Sequence, residues 1–325
     1  MLERHKISLL AALAAIFVVS RFSSHIGPYY YDIILSIGIN IILAVSLNLV
    51  NGYTGQFSLG HAGFMSVGAY LAAAVTVLAG PRLLGATGGP ALQQGLLFLG
   101  ALLAGGLGAA LAGLVVGIPS LRLKGDYLAL VTLGFGEIIR VVFQNIEALG
   151  GALGMNGIPA YTTFFWVYSV AALTVFTVTC LVRSTYGRGF LATHDDEIAS
   201  EAVGLNTTRY KIVAFVVGAF FAGLAGGLYG HFKLTITPAG FDFTKSIEIV
   251  VMVILGGMGN TPGVILAAIL LTLLPEFLRA VDQYRMILYS VLLIVLMLVR
   301  PKGLFNFDYA AIAARLRRKL RPARN

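Results

Sequence analysis

Apolar runs dominate this chain and leave it little choice of solvent: they lie near residues 8–20, 33–50, 57–79, 93–117, 127–146, 164–182, 211–231, 247–258, 260–279 and 285–299. A helix needs roughly 20 residues to cross a hydrocarbon layer of about 30 Å, so the longer runs span and the shorter ones must be broken, re-entrant or paired. Lipid admits only helices and closed barrels, because every backbone amide in hydrocarbon has to find a partner within the protein. Runs of this length are helical in size. With 58% hydrophobic and 11% charged residues, the chain falls far below the roughly 25% charge that covers a soluble globule. The expectation is an all-α, polytopic membrane protein of about ten spans.

Charge sets the expected topology. Arg4 and Lys6, Arg122 and Lys124, then Arg183, Arg188 and Arg209, and finally the tail RLRRKLRPAR carry most of the positive charge of a chain whose net charge is +9. Ten crossings put all four groups on one side, which the positive-inside rule makes cytoplasmic together with both termini. This distribution marks topology rather than a nucleic-acid surface. Residues 1–310 read as one transmembrane domain with a principal cytoplasmic loop at 183–209, and 311–325 as a basic tail facing lipid head groups. Arg4 and Lys6 precede a run of signal-peptide size, but FVVSRFSSHIG offers no A-x-A-like cleavage site, so a retained anchor is expected. The single cysteine, Cys180, lies within an apolar run and excludes a disulfide framework.

The loop contains TYGRGFLATHDDEIASEAVGLNTTRYK. A helix is expected to start at Thr193, whose hydroxyl can cap it with Asp196 three residues on, and to stop at Gly204. Ile198, Ala199, Ala202 and Val203 give it a small apolar face, while Asp195, Asp196, Glu197 and Glu201 are expected to stay wet. So short a helix needs a surface to lie on. Either it packs on its own bundle or it enters a groove of a cytoplasmic partner.

Two interrupted stretches stand out among the apolar runs. NGYTGQFSLGHAGFMSVGAY, residues 51–70, places Asn51, Tyr53, Thr54, Gly55, Gln56, Ser58 and His61 beside one another, and LGGMGNTPG contributes Gly256, Gly257, Gly259 and Asn260 in the second half. Polar groups at membrane depth must face protein or a watered cavity, and interrupted segments in both halves of a transporter point to the substrate path. These residues are the expected path lining; the other reading is close packing of small residues, preferred for GLVVG at 113–117 and GLAGG at 223–227. Glu137 and Arg140, three apart, can neutralise each other within an apolar helix as a structural pair or as a lining of the route. Lys245 alone among the lysines precedes Ser or Thr, and GFDFTKS lacks the second glycine of a phosphate-binding loop. No metal-ligand spacing, nucleophile elbow or paired carboxylates occur, so no catalytic residue, metal or cofactor is expected. Energy must come from another chain or from an ion gradient.

EIASEAVG, preceded by RSTYGRGFLATHDD, resembles the loop by which permease subunits of bacterial ATP-binding-cassette importers dock on their ATPases. NLVNGYTGQFSLGHAGFMSVGAYLAA, LRLKGDYLALVTLGFGEIIR and VMVILGGMGNTPGVILAAILL are similar, in order, to the LivM-type subunits of the branched-chain amino-acid permeases, over residues 35–303. The resemblance implies a non-catalytic subunit in the bacterial inner membrane, with Asp195, Asp196, Glu197, Ile198, Ala199, Glu201, Ala202 and Gly204 as the ATPase-coupling segment. It implies as partners a LivH-type permease, two cytoplasmic ATPases and an external substrate-binding protein delivering branched-chain or other apolar amino acids. Where it leads one to expect Gly-Gly-Pro-Asn-Gly after the fifth span, the chain has GGALGMNGIP. A urea or short-amide permease shares this framework, and a stand-alone secondary transporter is the alternative of a different class.

Overall fold

The computed structural model describes residues 2–22, 27–81, 90–121 and 126–278, with isolated positions between 290 and 303. The expected span at 285–299 lies mostly outside the described residues. So do the tail 311–325, Arg122 with Lys124, and the side chains of Arg4 and Lys6.

The described chain is helical: α1 (Leu2–Phe22), α2 (Pro28–Asn48), α3 (His61–Ala74), α4 (Ala91–Ser120), α5 (Asp126–Asn145), α6 (Phe164–Arg183), α7 (Thr185–Asp195), α8 (Glu197–Ala202), α9 (Thr207–Lys233), α10 (Phe243–Gly256) and α11 (Thr261–Phe277). Wider i→i+5 turns extend α2 through Leu49–Tyr53 and α3 through Val75–Ala79. Among the described residues six helices are long and apolar enough to cross a membrane: the extended α2 and α3, and α4, α5, α6 and α9. The 14 residues of α10 and the 17 of α11 reach about 21 and 25 Å. These two pack on each other as a hairpin beside α2.

The central helix is α9, which packs on α2, α3 and α4. Lipid tails are as apolar as leucine, so close van der Waals fit holds such helices together, and small residues permit it. A Cβ on Gly226 would overlap the Met65 carbonyl of α3, and one on Gly223 would lie 2.5 Å from the Cβ of Ala109 on α4. The GLAGG stretch is thus the closest approach of three helices. Toward the far end of α9, Tyr70 stacks on Phe143 at 4.3 Å and packs beside Phe241.

At that far end GGALGMNGIP pairs with the chain leaving α9. Met155 and Ile236 exchange backbone hydrogen bonds of 2.9 and 3.0 Å, and Lys233 bonds Asp32 at 3.0 Å. The opposite end carries the irregular segment 54–60, the turn 257–260 and helices α7 and α8.

Candidate functional site

The interruption after α2 is a true break. The wide turn Leu49–Tyr53 ends at Thr54, and the chain runs without regular structure to Gly60 before α3 begins at His61. The expected span 57–79 therefore starts four residues later than its apolar run, because the amides of Ser58, Leu59 and Gly60 go to the side chains of Asn51, Thr132 and Ser58 instead of to a helical ladder. Along the break the side chains alternate as in an extended strand: Thr54, Gln56 and Ser58 are at most 2% exposed, whereas Tyr53, Phe57 and Leu59 are only partly covered. The polar row points inward.

That row is held by specific bonds. Asn51 clasps the break by accepting from the Ser58 amide at 3.2 Å and donating to the Ser58 carbonyl at 3.4 Å. Thr54 donates to the Val50 carbonyl at 2.7 Å and accepts from Gln56 Nε2 at 3.0 Å. His61 meets the Ser46 hydroxyl at 2.9 Å. The Leu59 amide donates to Thr132 at 3.0 Å, and the Ala62 amide to Ser246 at 3.3 Å. Two buried atoms, Asn48 Nδ2 and Gln56 Oε1, have no partner among the described residues.

The two interrupted stretches meet. The Gly259 amide donates to Asn48 Oδ1 at 2.9 Å, and Tyr53 shares a 2.9 Å hydrogen bond with Thr261. A Cβ on Gly52 would overlap both Asn48 Oδ1 and the Gly259 amide. Gly259 has φ +77°, which favours glycine, and Asn260 caps α11 by accepting from the Gly263 amide at 3.4 Å. Gly256 and Gly257 complete the turn, Gly256 pressed on Val264. Ser46, Asn48, Thr132, Ser246 and Thr261 were not singled out from the sequence. The signal was available: an isolated polar side chain within an apolar span has to find a partner.

The loop helices differ from the expected single helix starting at Thr193. Thr193 lies in the last turn of α7 and donates its hydroxyl to the Gly189 carbonyl at 2.8 Å, which takes it out of capping. Asp196 is the cap, accepting from the Ala199 amide at 3.0 Å at the start of α8. Helix α7 is anchored by Phe190, fully buried, and Tyr186, both packed on Tyr210 of α9. Asp196 and Glu201 stay exposed as expected, and Glu197 alone is partly covered; two acids nevertheless tie α8 back, Glu197 pairing with Lys211 of α9 at 2.6 Å and Glu201 accepting from Thr207 at 2.7 Å. The Lys211 side chain is 9% exposed. Asp195 stays open to solvent beside His194. Gly204, at φ +87°, turns the chain into α9. The apolar residues face out: Ile198 is 73% and Val203 77% exposed, with Ala199 and Ala202 beside them, also exposed.

The two regions touch, α7 packing on the Leu49–Tyr53 turn. Gly55, exposed and at φ +68°, lies against His194 at the end of α7, where a Cβ would be 3.0 Å from the ring. Glu137 and Arg140 lie apart from both, on α5, with Arg140 Nε 2.7 Å from Glu137 Oε2. The GFDFTKS segment starts α10: Asp242 caps it by accepting from the Lys245 amide at 3.0 Å, and Lys245 Nζ pairs with Glu248 at 2.9 Å.

The family model described as branched-chain amino acid transport system / permease component matches residues 29–299. The chain is 36% identical to the high-affinity branched-chain amino acid transport system permease protein LivM of Salmonella typhimurium, over 91% of this chain and 73% of that protein. Identity and coverage are the same for LivM of Escherichia coli. The permease protein LivH of Escherichia coli is 29% identical over 43% of this chain and 46% of its own length. No solved structure matches the chain.

Proposed function

Because the chain belongs to the family of branched-chain amino acid transport system permease components, we propose that it is the membrane-spanning, non-catalytic subunit of an ATP-driven importer of branched-chain or other apolar amino acids. Its partners in this reading are a second, LivH-type permease, two cytoplasmic ATPases and an external binding protein, in a bacterial inner membrane. Residues 1–310 form one permease domain of ten crossings, the six long helices being joined by α1, the α10–α11 hairpin and the apolar stretch 285–299. The end bearing α7 and α8, with both termini and the basic tail 311–325, faces the cytoplasm.

The observation that carries the coupling role is the orientation of α8. A short helix on a bundle ordinarily hides its apolar residues against it; here Glu197 and Glu201 make the ties to α9, and Ile198 and Val203 are left open. An uncovered small apolar face on a helix seated against the bundle suits insertion into a partner's groove. Asp195 and Asp196 supply acidic charge at its rim, and Gly204 gives room for close approach. The break and the turn 257–260 form the proposed wall of the substrate path. Tyr53, Gly55, Phe57 and Leu59 look outward, while Asn51, Thr54, Gln56, Ser58, His61, Gly256, Gly257, Gly259 and Asn260 fix the backbone behind them.

Ile198→Asp together with Val203→Asp tests the docking. Both changes lie on an exposed surface and leave the Glu197–Lys211 tie intact. The expected result is loss of ATPase co-purification and of amino-acid uptake at normal membrane levels of the chain. Uptake at the unaltered rate would refute the docking face.

A further inference from the structure

Helix α5 has two unlike flanks. Its inner face, with Leu128, Ala129, Thr132 and Phe143 buried, packs on the bundle, and its outermost row contains Leu130 at 63% and Val141 at 47% exposure. On one side of that row lie Val131, Phe135, Ile138 and Val142, all apolar; on the other lie Leu133, Glu137, Arg140 and Gln144, all partly exposed. Glu137 and Arg140 sit near the middle of the 20-residue helix. Their side chains are 35% and 28% exposed. Lipid hydrocarbon suits the first flank and not the second, since intramembrane charges face a bundle interior or a watered cavity even when paired.

The pair is also unfinished as a hydrogen-bonding unit. The bond between Arg140 Nε and Glu137 Oε2 is the one donated by the guanidinium to any described residue, which leaves its two terminal NH₂ groups, and the second carboxylate oxygen, directed past the pair. A planar guanidinium presents its five donors as a fork that matches a carboxylate. Beside it, Glu137 offers an acceptor to an ammonium group. The inner face of α5, next to this flank, meets the proposed path wall: a Cβ on Gly63 would lie 2.9 Å from Gly136 Cα, and Thr132 holds the Leu59 amide.

We propose that the Leu133–Glu137–Arg140–Gln144 flank of α5 faces the watered substrate path and that Glu137 with Arg140 forms a contact site for the zwitterionic head of an α-amino acid. Arg140 takes the carboxylate and Glu137 the ammonium, two groups that flank one carbon in the ligand. Leu133, one turn earlier, offers apolar surface to an aliphatic side chain. The site carries no net charge, so an equally neutral zwitterion gains paired hydrogen bonds without being held as a counter-ion. This inference rests on the permease reading and adds the chemistry by which the path would recognise amino acids.

The test uses the complete assembly in vesicles, in a Cys180→Ser background. Single cysteines at Leu133 and Gln144 are compared with single cysteines at Phe135 and Val142, using a charged, membrane-impermeant thiol reagent. Labelling of the first two but not the second two is expected, with leucine-loaded binding protein slowing the reaction at 133. No labelling at 133 and 144, or equal labelling of both flanks, would overturn the proposal. A second variant separates contact from structure: Glu137→Gln with Arg140→Gln leaves no lone charge behind. A structural pair predicts unaltered uptake. The proposal predicts a loss of about tenfold or more, the size of a charged hydrogen bond, with assembly and nucleotide hydrolysis retained. Wild-type uptake in that double variant overturns this site alone, whereas no ATP-driven uptake by the unaltered assembly overturns the permease reading with it.

Discussion

The irregular break at 54–60 and the short helices α7 and α8 are both rich in polar residues and turned toward the same end of the bundle, yet they face their surroundings for opposite reasons. In the break, inward polar side chains are a necessity of membrane depth: Thr54, Gln56 and Ser58 are at most 2% exposed and bonded to their own chain. In the loop water is available, and Glu197 and the exposed Glu201 still bond to α9 rather than to water alone, leaving Ile198 and Val203 uncovered. The first arrangement keeps a joint in shape, and the second prepares a surface to be covered. Gly55 against His194 puts the two in contact, so a displacement of α7 reaches the break without an intervening element.

The comparison breaks most severely if the joint cannot form. Gly52→Val places a branched side chain where Asn48 and the Gly259 amide already stand. Overpacking of this kind costs about 3 kcal/mol, and the expected outcome is loss of folded chain from the membrane, read as monodisperse yield in detergent. Normal yield would mean that the two interrupted stretches do not meet as described.

The loop unit should be next in sensitivity. Lys211→Met leaves Glu197 without its cation at a site where the lysine side chain is 9% exposed. A loss of about 2 kcal/mol is expected, below the range for fully buried pairs because Glu197 keeps some solvent. Adding Glu197→Leu should recover most of the lost melting temperature; a double variant no better than the single one would assign the effect to something other than the stranded carboxylate.

Asp196→Ala sharpens the assignment of the cap. Losing the bond to the Ala199 amide should cost about 1 kcal/mol, and Asp196→Ser should restore it. Limited proteolysis of the 196–204 segment reads this directly, and Thr193→Ala is expected to change it far less. If Thr193→Ala were instead the more damaging change, α8 would start where the sequence suggested.

The smallest effect belongs to Ser58→Ala. The Ser58 hydroxyl accepts from the Gly60 amide at a long 3.5 Å, whereas the Ser58 backbone is what Asn51 holds. Less than about 1 kcal/mol is expected for Ser58→Ala and roughly twice as much for Asn51→Ala, compared by thermal melting in detergent. Equal losses would place the clasp elsewhere.

The spans were legible because a continuous apolar run survives any error in helical phase, and α2, α4, α6 and α9 overlap theirs closely. Helix α7 was not legible, since TYGRGFLATHD carries two glycines and no apolar stripe; it forms because Tyr186 and Phe190 find Tyr210 on another helix. The cap was misplaced by three residues because Thr193 and Asp196 are both good caps, and only the Gly189 carbonyl decides between them. The polar content of the break was plain, but its inward alternation and the Asn48–Gly259 bond, 211 residues apart in sequence, depend on tertiary packing.

The central claim is that this chain forms a path but has no energy source of its own, its loop unit receiving motion from an ATPase. The most direct measurement is leucine accumulation in proteoliposomes, comparing the chain alone with the chain assembled with a second permease, two ATPases and a binding protein. Accumulation is expected only in the assembly and only with ATP inside the side that bears α8. Accumulation by the single chain under a proton gradient, with no ATPase present, would contradict the account.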